Sequence, residues 1–354
     1  TTQSERKTAY IHAVCSELEM RKEYLGGETI ETIYWGGGTP SQLDKEDFET
    51  IFYYLHKNYS ISSHPEITLE ANPDDLTPDY IAMLRTLPFN RLSMGIQTFN
   101  ESILKVLQRR HTARQAIEAF QNCRAAGFQN ISIDLMYGLP GETLSTWQQD
   151  LDQALLLHPE HLSAYHLIYE EDTVLWKLRE QHKVEEADED LSVSLFSTLI
   201  DRLTSEGYDH YEISNFSLPG LYSRHNSSYW TEKKYLGCGP SAHSYNGVSR
   251  QWNVASLDTY IKGISAGTPV FEIEELDLYT RYNDFVITRI RTEWGMPLSK
   301  LRDEFGEKLY DYCLRMAAPH LKQGTLELVN DILKLTRKGI FISDGIMSDM
   351  LWTD

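Results

Sequence analysis

Residues 112–140 read TARQAIEAFQNCRAAGFQNISIDLMYGLP, and the reading of this stretch decides the fold. Thr112 is suited to cap a helix, because its hydroxyl can accept a backbone N–H from the first turn. Ala116, Ile117, Phe120 and Cys123 then recur on one face at helical spacing, and Gly127 ends the pattern. Ile131 to Met136 follows as a β-branched run, apolar except for Ser132 and Asp134. A helix feeding a largely apolar strand is half of a βα unit, and a buried Asp within it needs a partner or a ligand.

The same rhythm extends outward from Thr8 to about Asn215, each strand-helix pair taking roughly 30 to 40 residues. Strands are predicted at Glu31–Trp35, Glu66–Glu70, Arg91–Ile96, Ile131–Met136, His161–Leu167 and Tyr208–Ile213. With right-handed crossovers these form a parallel sheet, either open and doubly wound or closing as a barrel. The unusual polar residues fall at the C-terminal ends of successive strands, where barrel active sites are assembled, and this favours the barrel. The expected fold class is α/β, a partial (β/α)6 TIM-like barrel with a smaller C-terminal α+β domain.

The expected boundaries are a barrel over residues 1–216, a linker over 217–270 and a C-terminal helical, winged-helix-like domain over 271–354. In that last part Leu326–Val329 and Ile332–Leu335 flank Asn330-Asp331, a pattern that predicts a hairpin. Winged helices often bind DNA, but 33 Lys plus Arg against 52 Asp plus Glu, a formal charge of −19, opposes nucleic-acid binding. A structural or docking role is expected instead. No apolar run approaches the roughly 20 residues that span a bilayer, so the chain reads as soluble and cytoplasmic.

Cys15, Cys123 and Cys313 lie on helical apolar stripes and are expected to be buried thiols. With Cys238 they form no CxxC-like pair that could start a metal site. HExxH, HxH and GxSxG are absent, which leaves zinc hydrolysis and Ser-based acyl transfer unsupported.

The residues at the strand ends carry more. The first strand runs into Gly36-Gly37-Gly38-Thr39-Pro40, where glycine permits positive φ and lets a ligand approach bare backbone; a simple strand-to-helix turn is the alternative. The second ends in Glu70-Ala71-Asn72-Pro73, and Glu70 could equally serve a helix N-terminus. The third ends in Gly95-Ile96-Gln97-Thr98-Phe99, with Arg109 beyond the next helix, either as a helix-end charge or as a carboxylate-binding fork. Together with Asp134, Glu70, Gln97 and Arg109 would give one rim suited to a ribose diol and a zwitterionic amino acid.

The ordered set GGGTP, EANP, GIQTF, QRRH and DLMYGLPGET resembles the radical S-adenosylmethionine proteins related to oxygen-independent coproporphyrinogen III oxidase. The resemblance covers residues 1–330. It implies that Gly37, Gly38, Thr39, Glu70, Gln97, Arg109 and Asp134 contact S-adenosylmethionine. It also implies a [4Fe-4S] cluster held by a CxxxCxxC motif, whose reduction of the bound cofactor releases a 5′-deoxyadenosyl radical. The chain starts Thr1-Thr2-Gln3 and contains no such motif, so the cluster ligands are expected upstream of Thr1.

His225-Asn226-Ser227-Ser228-Tyr229-Trp230 matches the HNxxYW pattern of the heme-chaperone branch of this family. Taken alone, His225 is an ordinary loop residue. The resemblance implies that it ligates heme iron, with the aromatic pair available to cover a porphyrin face, and that heme passes to acceptor proteins such as respiratory heme proteins. The runner-up activity is oxidative decarboxylation of coproporphyrinogen III to protoporphyrinogen IX, and a cluster-free binding scaffold is the third. His243, in GCGPSAH, resembles another family segment and has either a packing or a ligand role.

Overall fold

The computed structural model describes residues 3–353. Its main sheet has seven strands, β1 (Ile30–Trp35), β2 (Ile61–Ala71), β3 (Arg91–Gln97), β4 (Ile131–Tyr137), β5 (His161–His166), β6 (Asp209–Glu212) and β7 (Asn215–Ser217). They are ordered β1-β2-β3-β4-β5-β7-β6, and β2 through β5 run parallel in a curled half-barrel.

The strands alternate in chemistry. Ile67, Leu69, Leu92, Met94, Ile131, Ile133, Leu135, Leu162 and Ala164 are all buried on the face that carries the helices. Beneath them lie Ala116, Phe120 and Cys123 of the helix Ala113–Ala125, and Trp147, Leu151 and Ala154 of the helix Leu144–Leu156. Each large aliphatic side chain buried in this way contributes about 1.5–3 kcal/mol. Thr112 caps its helix as expected, in a capping box with Gln115, and Gly127 follows the helix at φ +98°.

One expectation is corrected. The sixth predicted strand does not lie beside the fifth, because β7 intervenes and runs antiparallel to both β5 and β6. The chain reverses after Glu212, whose carboxylate accepts from the Ser214 N–H and the Asn215 side-chain amide. Phe216 is then fully buried, stacked on His210 at 4.2 Å. A strand of three residues is too short to show any alternation.

Contacts divide the chain into two compact units. One comprises Tyr34–Gln42 and Glu66–Ser223, the greater part of the half-barrel. The other comprises the stretch up to Ile33, Leu43–Pro65 and Arg224 onward. This second unit contains an antiparallel sheet of β8 (His243–Tyr245), β9 (Ser249–Asn253) and β10 (Phe271–Glu275), ordered β10-β9-β8. Its buried anchor is Glu17 of the helix Gln3–Met20, whose carboxylate accepts from Gly239 N–H, Asn253 Nδ2 and Tyr260 Oη at 2.6–2.9 Å and from Arg21 at 3.2 Å. A buried charge persists only when bonded this completely.

The C-terminal sheet is β11 (Met296–Pro297), β12 (Leu326–Val329) and β13 (Ile332–Leu335), ordered β11-β13-β12. The predicted hairpin is β12-β13, and Asn330 and Asp331 both adopt positive φ, the two-residue turn that matches strand twist. Cys15, Cys123 and Cys313 are buried as expected. No helix among the described residues is long and apolar enough to cross a membrane.

Candidate functional site

Strand register builds two polar rows on the inner face of the half-barrel. Glu70, Ser93, Ser132, His161 and Ser217 are successive partners across β2, β3, β4, β5 and β7. Gly95, Asp134, Ser163 and Asn215 form the next row. Arg91, only 1% exposed, pairs in register with Thr68 below them. Thr68 Oγ1, Arg91 Nε, Asn215 Oδ1 and Ser217 Oγ are buried without a protein partner. Of all these inner residues, sequence reasoning had picked out only Glu70, Gly95 and Asp134. The signal was present as polar residues two apart, Glu66-Thr68-Glu70, Arg91-Ser93, Ser132-Asp134 and His161-Ser163, inside otherwise apolar strands.

The glycine loop lies at the end of β1. Of its three glycines only Gly37 takes a positive φ, +76°. A Cβ at Gly36 would lie 2.6 Å from Glu70 Oε1 and from the Tyr34 ring, so a side chain there would have to displace one of them. Glu70 accepts the Tyr34 hydroxyl at 2.7 Å and the Gly37 N–H at 3.2 Å. Gly38 and Thr39 are exposed, and the Thr39 carbonyl accepts the Gln42 N–H. Asp75, which sequence reasoning missed, ties this loop to the end of β2 by accepting from Ser41 at 2.6 Å, Gln42 at 3.1 Å and Arg110 at 3.0 Å.

Asp134 accepts from Ser93 at 3.1 Å. Burial, then the charge of Glu70, pushes its carboxyl up to about 6, against the opposing pull of Arg91 and of hydrogen bonds from Ser93 and Ser163. Arg109 reaches back from beyond the helix Glu101–Val106, donating to Asn72 Oδ1 and to the Gly95 carbonyl, both at 2.8 Å. Gln97 has φ +70° at a shift of register between β3 and β4, and its amide closes on Gly95: a Cβ at Gly95 would lie 3.1 Å from Gln97 Nε2 and 3.5 Å from Arg109 Nη2. Gly37, Glu70 and Asp134 thus form one group, and Gln97, Arg109 and Asn72 converge on Gly95. A guanidinium, two carboxylates and bare backbone can hold a carboxylate, hydroxyls and an ammonium group.

His225 stands on the short helix Arg224–Trp230. Its Nδ1 is 2.9 Å from Thr32 Oγ1, and its Nε2 is 2.9 Å from the Tyr229 hydroxyl. The aromatic pair does not share one face. Tyr229 packs edge-on against His225 and Tyr235, whereas the Arg291 guanidinium covers the Trp230 ring at 4.1 Å. His243 is exposed at 6.3 Å from the Trp252 ring.

The described residues do not fit an iron-sulfur cluster. No three His, Cys, Asp or Glu among the described residues are grouped to hold a metal. Burial raises all four thiols, Cys15 and Cys313 to about 11, Cys123 to about 12, and Cys238 well above its ordinary value with Glu17 adding to the effect.

Residues 6–154 match the Radical SAM superfamily model, and residues 276–342 match the HemN C-terminal domain. The heme chaperone HemW of Mycobacterium tuberculosis is 32% identical over 97% of this chain and 86% of its own length. That of Bacillus subtilis is 30% identical over 99% and 93%. The structure of coproporphyrinogen III oxidase (HemN) from Escherichia coli matches with a TM-score of 0.84 at 23% identity, covering 99% of this chain and 84% of that one, a likeness of fold. The chain belongs to the HemN-related family of the radical SAM superfamily, in the branch of the heme chaperones named HemW.

Proposed function

We infer that the protein binds heme through His225 and passes it to acceptor proteins, respiratory heme proteins being the class that the sequence resemblance suggests. The observation that carries this reading is a half-buried imidazole held at both nitrogens on a short helix, within the HNxxYW pattern by which the sequence resembles the heme-chaperone branch. Neutral imidazole is a good axial ligand for heme iron. We also propose that the protein acts in the cytoplasm. Titrating hemin into the protein and into His225→Ala while following the Soret band tests the heme reading, and identical spectra and affinities would sink the assigned ligand.

Membership of the superfamily implies S-adenosylmethionine and a [4Fe-4S] cluster. The described residues do not supply ligands for the cluster. A guanidinium, two carboxylates and glycine backbone at the strand ends support S-adenosylmethionine as the ligand of the barrel residues. Glu70 fills the space a side chain at Gly36 would need, and Gly95 leaves room for Gln97 and Arg109. We assign Gly37, Gly38, Thr39, Glu70, Gln97, Arg109 and Asp134 to this cofactor. In that assignment Arg109 holds the carboxylate, Glu70 and Asp134 accept from hydroxyl or ammonium groups, and the glycine loop offers backbone edges. When bound at a reduced cluster, the cofactor supplies radical hydrogen-abstraction chemistry.

A second reading, oxidative decarboxylation of coproporphyrinogen III, is favoured by the polar inner rows, whose orphan atoms suit a polar guest. Turnover of coproporphyrinogen III at enzymatic rates by anaerobic, cluster-loaded protein would put this reading first.

A further inference from the structure

Two consecutive residues of the helix Arg224–Trp230 meet two consecutive residues of β1. Arg224 donates to Glu31 at 2.7 Å and to the His64 carbonyl at 2.9 Å, while His225 Nδ1 meets Thr32 Oγ1 at 2.9 Å. The helix is therefore pinned to the strand at the position of the imidazole. One turn later Tyr229 reaches back to Nε2, its ring edge-on to the imidazole at 5.1 Å and held from behind by Tyr235 at 4.8 Å.

A neutral imidazole has one N–H and one lone pair, and only the lone pair binds iron. Histidines that ligate metals almost always give their N–H to a fixed acceptor, which sets the tautomer and aims the lone pair. Nδ1 faces the strand, whereas Nε2 faces Tyr229, which is 37% exposed. Nε2 is therefore the nitrogen on the more open side, where iron can approach.

We propose that Thr32 is the positioning residue for heme ligation and that the Tyr229 hydroxyl caps the ligating nitrogen until iron displaces it. The proposal rests on the assignment of His225 as heme ligand. Thr32 Oγ1 accepts the Nδ1–H, which keeps the lone pair on Nε2, and the Tyr229 O–H donates to that lone pair in the heme-free protein. On loading, the O–H···Nε2 hydrogen bond breaks, Nε2 donates its pair to ferric iron, and an iron-bound water leaves. The phenol keeps its proton and turns to solvent, and no electron is transferred. The heme-free site is thus closed by a bond that must be broken, and Thr32 supports the ligand before and after loading.

The test is hemin titration of the full chain, comparing wild type, Thr32→Val, Thr32→Ser, Tyr229→Phe and His225→Ala by Soret shift and by the low-temperature spin state of the ferric iron. Thr32→Val is expected to weaken hemin binding about 10-fold or more and to reduce the histidine-ligated signal, with Thr32→Ser restoring both. Tyr229→Phe is expected to tighten binding by about 3- to 10-fold, because the cap no longer competes. If His225→Ala loses the ligated signal while Thr32→Val matches wild type, the positioning role is overturned and the heme ligand stands. If His225→Ala matches wild type, ligand and inference fall together. Weaker binding by a folded Tyr229→Phe overturns the cap. Retention of the Thr32→Val melting temperature, with Thr32→Ser as the conservative control, separates lost ligation from lost folding.

Discussion

The Glu70 carboxylate occupies the volume that a side chain on Gly36 would require, with Oε1 2.6 Å from where a Cβ would stand. A side chain at Gly36 would have to displace a neighbour, whereas the space around Gly38 is open. Gly36→Ala is expected to lower the free energy of unfolding by about 1–3 kcal/mol, the range for overpacking. Gly38→Ala should change it by less than about 0.5 kcal/mol. Urea unfolding of the two variants checks the contrast, and equal effects would mean that Glu70 can move aside freely.

Arg109 is committed to Asn72 and to the Gly95 carbonyl before any ligand arrives. Its removal should weaken S-adenosylmethionine binding by about 2–4 kcal/mol, since a ligand carboxylate would lose its charged partner. Equilibrium dialysis of the cluster-loaded protein and Arg109→Ala gives the comparison. Unchanged affinity would limit Arg109 to bracing the end of β3.

Glu17 is 1% exposed and gathers donors from three other segments of its unit. Glu17→Ala leaves the Gly239 N–H and the Tyr260 hydroxyl without their acceptor, and a loss of about 3–5 kcal/mol is expected. Chemical denaturation measures it; a loss under about 1 kcal/mol would show that water replaces the carboxylate without penalty.

Burial is the first cause of raised carboxyl pKa values at Glu142, pushed up to about 7, and at Asp134 and Asp150, pushed up to about 6. An acid with a higher pKa folded than unfolded binds more protons when folded, so its contribution falls as pH rises between the two values. For Glu142 that window runs from 4.5 to about 7. Asp44 and Asp277, whose pKa values are lowered by hydrogen bonds, act in the opposite sense at lower pH. Glu142→Gln should therefore lose less stability than the parent between pH 5 and 7. Parallel stability curves from urea unfolding at fixed ionic strength would refute this.

The strands β1 to β5 and the C-terminal hairpin could be read from sequence because each depends on local pattern: β-branched runs, caps, and an Asn-Asp turn whose two residues tolerate positive φ. What escaped depends on distant partners or on segments too short to show a period. β7 is three residues long and is set by the burial of Phe216. The sheet of β8, β9 and β10 needs Glu17, more than two hundred positions earlier, to satisfy Gly239 and Asn253. In the candidate site Arg109 was legible as a charge, but its convergence with Gln97 on Gly95 depends on the irregularity at the end of β3. His225 was legible as part of a motif. Its partner Thr32 lies 193 residues away, in a strand whose sequence shows nothing unusual at that position.

The alternation along β2 to β5 divides the duties of each strand. Along each of them, alternate residues meet helices, and the residues between meet the barrel interior. A substitution at Ser132 or Ser163, both buried, therefore changes the polarity of the interior, while Ile131, Ile133 and Leu162 continue to hold the helices in place. Interior polarity and helix packing are thereby assigned to separate positions one residue apart, and a lineage can alter the first without eroding the second.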